Sequence, residues 1–236
     1  MSNINYYINR IFSPKIQTVN EEYLKWLSFA NSGMLHPGNI YCFDHAIKNL
    51  PNASPIIEIG SFCGLSTNTL TFLLKKYKRE NKIFSSDKWL YEGYDSSGNL
   101  GNSNISHEDY RSFVKETFKR NVSFFSRNNL PHTIEVFSDE FFELWDRASE
   151  LEDVFGRAIK MGGDISFAYI DGNHTYEFTK RDFLNTDKFL VQGGFILFDD
   201  THSLSTFGCA KLMKELEKDS KYELVMKNPN YLFKKR

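Results

Sequence analysis

Cysteine is scarce in this sequence and never paired. Cys42, Cys63 and Cys209 are the three in 236 residues, and none stands in a C-x-x-C arrangement. That argues against a disulfide-stapled scaffold and a zinc knuckle. The three read as reduced, small side chains of a cytoplasmic protein. No apolar run approaches the ~20 residues that a membrane helix needs. The opening MSNINYYINR lacks the apolar core of a signal peptide. Neither sign of charge is in excess: 29 Lys and Arg face 30 Asp and Glu. A net charge of −1 points to neither a nucleic-acid nor a membrane partner. Internal repeats and low-complexity tracts are absent. So is the dinucleotide fingerprint G-x-G-x-x-G, because Phe62 stands where its second glycine belongs.

What is present suits one α/β domain with a small cap: 41% of the residues are hydrophobic, and the 22 Phe mostly fill a core. The chain is organised around residues 165–201. Two apolar runs, ISFAYI and GFILF, each end in acid: Asp171 after the first, Asp199 and Asp200 after the second. A mostly helical pattern separates them, so the stretch reads as a β-α-β unit with parallel strands. Both acidic ends then fall on the carboxyl edge of one sheet, where open α/β sheets bind ligands. Three carboxylates gathered there repel one another unless a cation or proton joins them. The alternative is that they cap helices and turns.

Upstream, residues 1–20 form an arm. A helix is expected over 21–30 with Asn20 as N-cap and Tyr23, Leu24, Trp26 and Leu27 inward. Pro37 opens a second helix through Leu50, with Ile40, Phe43, Ala46, Ile47 and Leu50 inward. His36 and His45 beside it need no role. The chain thus divides into an N-terminal helical arm or cap, 1–50, and a main domain, 51–236. Residues 55–60, PIIEIG, form a short buried strand running into Ser61-Phe62-Cys63-Gly64 and a helix over 65–79. Gly60 permits a tight turn there, and Gly64 a close approach of backbone to ligand. The helix offers its free N–H groups at the same spot. Glu58 inside the strand is costly unless something binds it. KIFSSD, 82–87, is a second strand, and Asp87 at its end suits ribose hydroxyls. Residues 89–106 read as a mobile loop and, with a helix over 107–122, as a lid spanning 89–130. That helix places Tyr110, Phe113, Val114, Thr117 and Phe118 on one face. A third strand covers 133–137, Ser138-Asp139 starts the next helix, and 151–163 is a connection. After Asp200, an amphipathic helix over 205–218 presents Phe207, Ala210, Met213 and Leu216. A terminal hairpin turns about Asn228-Pro229-Asn230.

Five β-α units followed by a hairpin resemble the class I S-adenosylmethionine-dependent methyltransferases over roughly residues 50–236. The resemblance implies a Rossmann-like, doubly wound α/β sheet of seven strands, mostly parallel with an antiparallel C-terminal hairpin strand. Glu58, Gly60 and Gly64 match the methionine-binding loop, with Ser61 and Ser66 beside them. Asp87 matches the ribose acid, and Ser138-Asp139 falls where adenine is bound. Asp171 would join this cofactor set. The D-G-x-H-x-Y of Asp171, Gly172, His174 and Tyr176, with the acids Asp199-Asp200, is similar to the metal-dependent catechol-type and sugar-type O-methyltransferases. In those enzymes, acids at these strand ends bind a divalent cation, here implying Mg²⁺ at Asp171, Asp199 and Asp200. Some use an acid two residues after the first ligand as base, but Asn173 stands there. Others use a histidine three residues after, which is His174; His202 is next in line.

The resemblance therefore implies transfer of a methyl group from S-adenosylmethionine to a hydroxyl of a small sugar, diol or catechol-like acceptor. A metal-independent enzyme acting on a nitrogen or carboxyl acceptor stays open. So does a non-catalytic S-adenosylmethionine-binding protein. The oligomeric state is open too, a homo-oligomer included.

Overall fold

The computed structural model describes residues 15–90, 94–202 and 208–236. Two helices lead the chain: α1 (Glu22–Ala30) and α2 (Pro37–Lys48). Alternation follows, through β1 (Ile56–Ile59), α3 (Leu65–Lys76), β2 (Ile83–Ser86), α4 (His107–Phe125), β3 (His132–Ile134) and α5 (Ser138–Asp146). A small hairpin, β4 (Glu150–Glu152) with β5 (Ala158–Lys160), precedes β6 (Ile165–Ile170) and α6 (Tyr176–Asp187). The chain ends with β7 (Leu190–Phe198), α7 (Cys209–Leu216), β8 (Tyr222–Lys227) and β9 (Tyr231–Lys235). The seven-stranded sheet has the order β3-β2-β1-β6-β7-β9-β8. Its first five strands are parallel, and β9 enters antiparallel between β7 and β8. This is the expected doubly wound sheet with its antiparallel hairpin.

Both faces are covered, as a mostly parallel sheet requires. The two-residue period of β6 shows how. Phe167 and Tyr169 pack with Leu24, Leu27, Phe43 and Ile47 of α1 and α2 and with Leu70 and Leu73 of α3. Ala168 and Ile170 face the other way, toward Phe141 and Trp145 of α5, Phe183 of α6 and Leu212 and Met213 of α7. A third, smaller cluster seats α4 over the β1–α3 turn through Cys63, Trp89, Val114, Phe118 and Val122. One apolar cluster thus runs across residue 50, from α1 and α2 into β6, β7 and β9.

Several local expectations need correction. Asn20 does not cap α1; Glu21 holds the cap position without a side-chain bond, and Asn20 instead accepts from Lys25 Nζ at 2.7 Å. Trp26 is 50% exposed and Phe113 64% exposed, so neither faces the core. Both apolar stripes are narrower than a count of hydrophobic residues suggests. The third strand stops at Ile134, because Ser86 Oγ takes the carbonyl of Val136 in place of a ladder partner. Residues 151–163 carry the β4–β5 hairpin, whose three-residue strands are too short to show a period. Of the last helix, α7 spans Cys209–Leu216, and the expected Phe207 lies outside the described residues, as do 1–14 of the arm and 91–93 of the loop. Residues 94–106 turn back on themselves, with a bridge between Asn99 and Ser106 and His107 N donating to Gly98 O.

The turn at 228–230 is a docking point. Asn228 exchanges two hydrogen bonds with the backbone of Gln17 and donates to Gly38 O at 3.2 Å. A Cβ on Gly38 would lie 1.8 Å from Asn228 O, so only glycine allows that approach. The segment before α1 and the start of α2 are thereby joined to the β8–β9 turn at the sheet's carboxyl edge.

Candidate active site

Register levels the strand ends. Ile59 pairs with Ile170, and Ile170 with Phe198, so Gly60, Asp171 and Asp199 leave the sheet at one height. Backbone bonds continue past the strands: Gly60 N to Ser86 O, Asp171 N to Ile59 O, Asp199 N to Ile170 O. A cavity of about 220 Å³ opens at that edge. Ser61, Phe62, Leu65 and Ser66 line it on one side, Asp171, His174, Asp199 and Asp200 on the other, and Met34 and Leu35 cover it from the segment before α2. Three non-glycine residues adopt left-handed backbone here: Phe62 after β1 (φ 44°), Trp89 after β2 (φ 52°) and Asp200 after β7 (φ 50°). Such conformations cost about 1–3 kcal/mol each and concentrate at functional sites. The other two, Lys78 and Ala148, follow the C-termini of α3 and α5, where such residues end helices.

The β1–α3 turn is built on glycine for reasons of packing. Gly60 (φ 87°) lies against the carbonyl of Asp171, which a Cβ would meet at 2.0 Å. A Cβ on Gly64 would meet Val122 of α4 at 2.7 Å, so α4 fills the side of Gly64 that a side chain would occupy. Glu58 is fully buried. Thr67 Oγ1 donates to its Oε2 at 2.6 Å. Its Oε1 and the buried Ser61 Oγ have no hydrogen-bond partner among the described residues. Burial pushes the Glu58 carboxyl up to about 7, and the hydroxyls of Ser66 and Thr67 offset part of that rise. Buried polar atoms of this kind are open to a water or a polar ligand.

Asp87 has a structural task. Its Oδ2 accepts from Ser61 N and Phe62 N, both at 2.8 Å, and its Oδ1 accepts from Trp89 N at 2.6 Å. The acid therefore ties the β2 end to the β1–α3 turn. Burial raises its pKa, and the three N–H bonds act against that. Asp87, Glu58, Ser138 and Asp139 do not line the cavity. Ser138 and Asp139 open α5. Asp139 is held by Arg181 Nε of α6 at 2.7 Å.

Across the cavity the acids are crowded. Enclosure, and then the neighbouring Asp199 carboxylate, push the pKa of the Asp171 carboxyl well above the usual carboxylate range. Tyr169 OH donates to Asp171 Oδ2 at 3.0 Å. His174 Nε2 stands 3.9 Å from Asp171 Oδ1 and 3.6 Å from Asp200 Oδ2. Cys209 at the start of α7 steadies both loops: its Sγ donates to Asp200 O at 3.1 Å and its N–H to His174 O at 3.1 Å. Tyr176 of the same motif is structural, its hydroxyl linking Lys180 and Glu215 where α6 meets α7.

The donor chemistry suits a hard divalent cation, because the acids offer only oxygen and their mutual repulsion favours one. The side chains are not gathered about a point: among the described residues no three His, Cys, Asp or Glu are placed to hold a metal. Sequence reasoning missed Asn39, Tyr169 and Asn230, which contact the acids, and His36. His36 caps α2 through Nδ1, accepting from Gly38 N, and feels both Asp199 and His202. The available signal was a polar residue on an otherwise apolar face, Asn39 beside Ile40 and Phe43.

The chain belongs to the methyltransferase-domain family, which matches residues 57–201. Its fold is shared by solved methyltransferases of low identity. An O-methyltransferase from Bacillus cereus, solved in complex with SAH, has 12% identity and a TM-score of 0.54, covering 98% of this chain and 95% of that one. TomG of Streptomyces achromogenes, an O-methyltransferase of tomaymycin synthesis solved with SAM, has 12% identity, a TM-score of 0.55 and the same coverage. CalS11, a TDP-rhamnose 3'-O-methyltransferase of calicheamicin biosynthesis, has 16% identity and a TM-score of 0.53, covering 84% of this chain and 78% of that one. No curated protein matches in sequence. Among the described residues no helix is long and apolar enough to cross a membrane.

Proposed function

We propose that this protein transfers the methyl group of S-adenosylmethionine to a hydroxyl of a small molecule such as a sugar, diol or catechol, assisted by a divalent cation of the Mg²⁺ type. The observation that carries this reading is one cavity lined by the Ser61–Ser66 turn on one side and by Asp171, His174, Asp199 and Asp200 on the other. The donor's methionine end would lie on that turn, with Glu58 and Ser61 supplying the open polar atoms. Asp87 would hold the ribose, and Ser138 and Asp139 the adenine. That O-methyltransferases of the same fold were solved with SAH or SAM, and that one of them is a TDP-rhamnose 3'-O-methyltransferase, supports the choice of donor and of a hydroxyl acceptor.

Methyl transfer from a sulfonium is an in-line displacement. The acceptor oxygen attacks the methyl carbon, the sulfur–carbon bond breaks and its electron pair stays on sulfur. The leaving thioether needs no acid, so alignment and removal of the hydroxyl proton are the protein's work. His174 Nε2, within 4 Å of Asp171 and Asp200, takes that proton. Met34, Leu35 and Phe62 shield the reacting atoms from water. Asp171, Asp199 and Asp200 would hold the cation, which when bound lowers the pKa of an acceptor hydroxyl and fixes its place.

A second reading is favoured by the seat of His174 between two acids: a metal-independent transfer with His174 as base. Transfer of labelled methyl to a panel of hydroxylated small molecules, with and without EDTA, decides. O-methylated product that is lost on chelation and restored by Mg²⁺ supports the first reading. Unchanged turnover in EDTA supports the second. Methylation of nitrogen or carboxyl acceptors alone overturns both, and tight cofactor binding without turnover on any acceptor points to a binding protein.

A further inference from the structure

Two buried side chains from distant parts of the chain meet at Asp199. Asn39 of α2, with no exposed surface, donates from Nδ2 to Asp199 Oδ1 at 2.5 Å. Asn230, in the turn between β8 and β9 and 2% exposed, donates from its own Nδ2 to the same oxygen. The two amides also bond each other, Asn230 Nδ2 to Asn39 Oδ1 at 3.0 Å. Asn230 is fixed in turn, because its Oδ1 accepts from Thr201 N at 2.9 Å. Tyr169 joins the group: Asn39 Nδ2 lies 3.4 Å from its hydroxyl, which donates to Asp171.

Every element of this network could be apolar at lower cost if packing were its sole purpose, since buried polar groups need complete satisfaction. Both amides fall on Oδ1, so Oδ2 is the oxygen of Asp199 that neither amide engages, and the Asp171 carboxyl lies within hydrogen-bond reach of this side chain. We propose that Asn39 and Asn230 are positioning residues that clamp Asp199 Oδ1 and so present Oδ2 as a fixed, single-oxygen ligand for the divalent cation. The inference rests on the cation reading above. It gives α2 and the terminal turn a part in assembling the site: neither touches the acceptor, yet both set the geometry of one acid.

The test is calorimetric titration of Mg²⁺ into the full chain with S-adenosylmethionine present, for wild type, Asn39→Leu and Asn230→Leu. Leucine keeps the branching at Cγ, in a larger side chain, and removes the donors. Each variant should bind Mg²⁺ about 10- to 100-fold more weakly, as loss of a hydrogen bond to a charged group implies. Cofactor affinity should stay within about twofold, and saturating Mg²⁺ should restore turnover. Asn81→Ala is the control. Asn81 is equally buried but bonds the carbonyls of Asn52 and Ser54 before β1, so it should lower the melting temperature alone. If a leucine variant fails to fold, Asn230→Ser carries the same expectation, its hydroxyl being too short to reach Oδ1. Equal Mg²⁺ affinity in wild type and folded variants overturns the clamp and leaves the cation reading standing. No Mg²⁺ uptake by wild type overturns both.

Discussion

Glu58 and His174 are the two residues whose surroundings most constrain the chemistry. Glu58 is raised to about 7 in the folded chain, chiefly by burial, against an ordinary value near 4.3. Between those values the folded state holds a proton that the unfolded chain has released. The contribution to stability is complete below about pH 4.3 and is lost as pH rises through about 7. By the shift it amounts to roughly 3 kcal/mol. Urea midpoints of wild type should therefore fall from pH 5 to pH 8, with Glu58→Gln showing a flatter profile. Parallel profiles would mean that Glu58 does not titrate in this range. His174 stands at the mouth of the cavity, within 4 Å of two acids. His174→Ala should lower kcat by about 10²–10⁴ and leave cofactor affinity unchanged, with partial rescue at high pH. Near wild-type turnover at neutral pH would move the base to His202. The motif containing Asp171 and His174 was legible because it joins a strand to a helix within six residues. The partners of Asp199 were not, because Asn39 and Asn230 are 160 and 31 residues away from it.

At the scale of elements, strand–loop–helix units carried a clear signal and very short ones did not. The buried runs of β1, β2 and β6 match their strands to within a residue at each end, whereas β7 begins at Leu190, four residues before the run GFILF. β4 and β5 were not read as strands, having three residues each. Helix faces were read too widely at Trp26 and Phe113, since an aromatic residue at a helical spacing need not be buried. The most informative element is the turn between β1 and α3. Gly60 and Gly64 stand there, and each also allows a close contact within the protein, with Asp171 and with Val122. Asp87 ties this turn to β2 by two N–H bonds. Asp87→Ala should therefore act twice, through a lost ribose contact and through a loosened turn. Cofactor binding should weaken by about 1.5–3 kcal/mol or more, and Mg²⁺ binding measured by calorimetry should weaken less. Equal cofactor affinity in wild type and variant would remove Asp87 from the cofactor site.

For the whole molecule, the question is whether residues 1–50 are an appendage or part of the enzyme. The sequence suggested a division near residue 50 because Pro51–Pro55 breaks the helical pattern. The packing argues that this break is a connection within one core. Leu24, Leu27, Ile40, Phe43, Ala46, Ile47 and Leu50 are all buried, and they cover Phe167, Tyr169, Phe195 and Leu197 on one face of the central strands. Removing α1 and α2 would bare that face. Each large apolar side chain uncovered forfeits about 1.5–3 kcal/mol, and total stabilities are only about 5–15 kcal/mol. Asp199 would also lose Asn39, one of its two amide partners. A chain beginning at residue 51 should therefore fail to melt cooperatively, and should bind S-adenosylmethionine at best weakly even though it retains the matched family region 57–201. Circular dichroism melts and cofactor calorimetry on the truncated and full-length chains check this. If the truncated chain unfolds cooperatively and binds cofactor as the full chain does, the N-terminal helices are a detachable cap, and acceptor choice is the one role left to them.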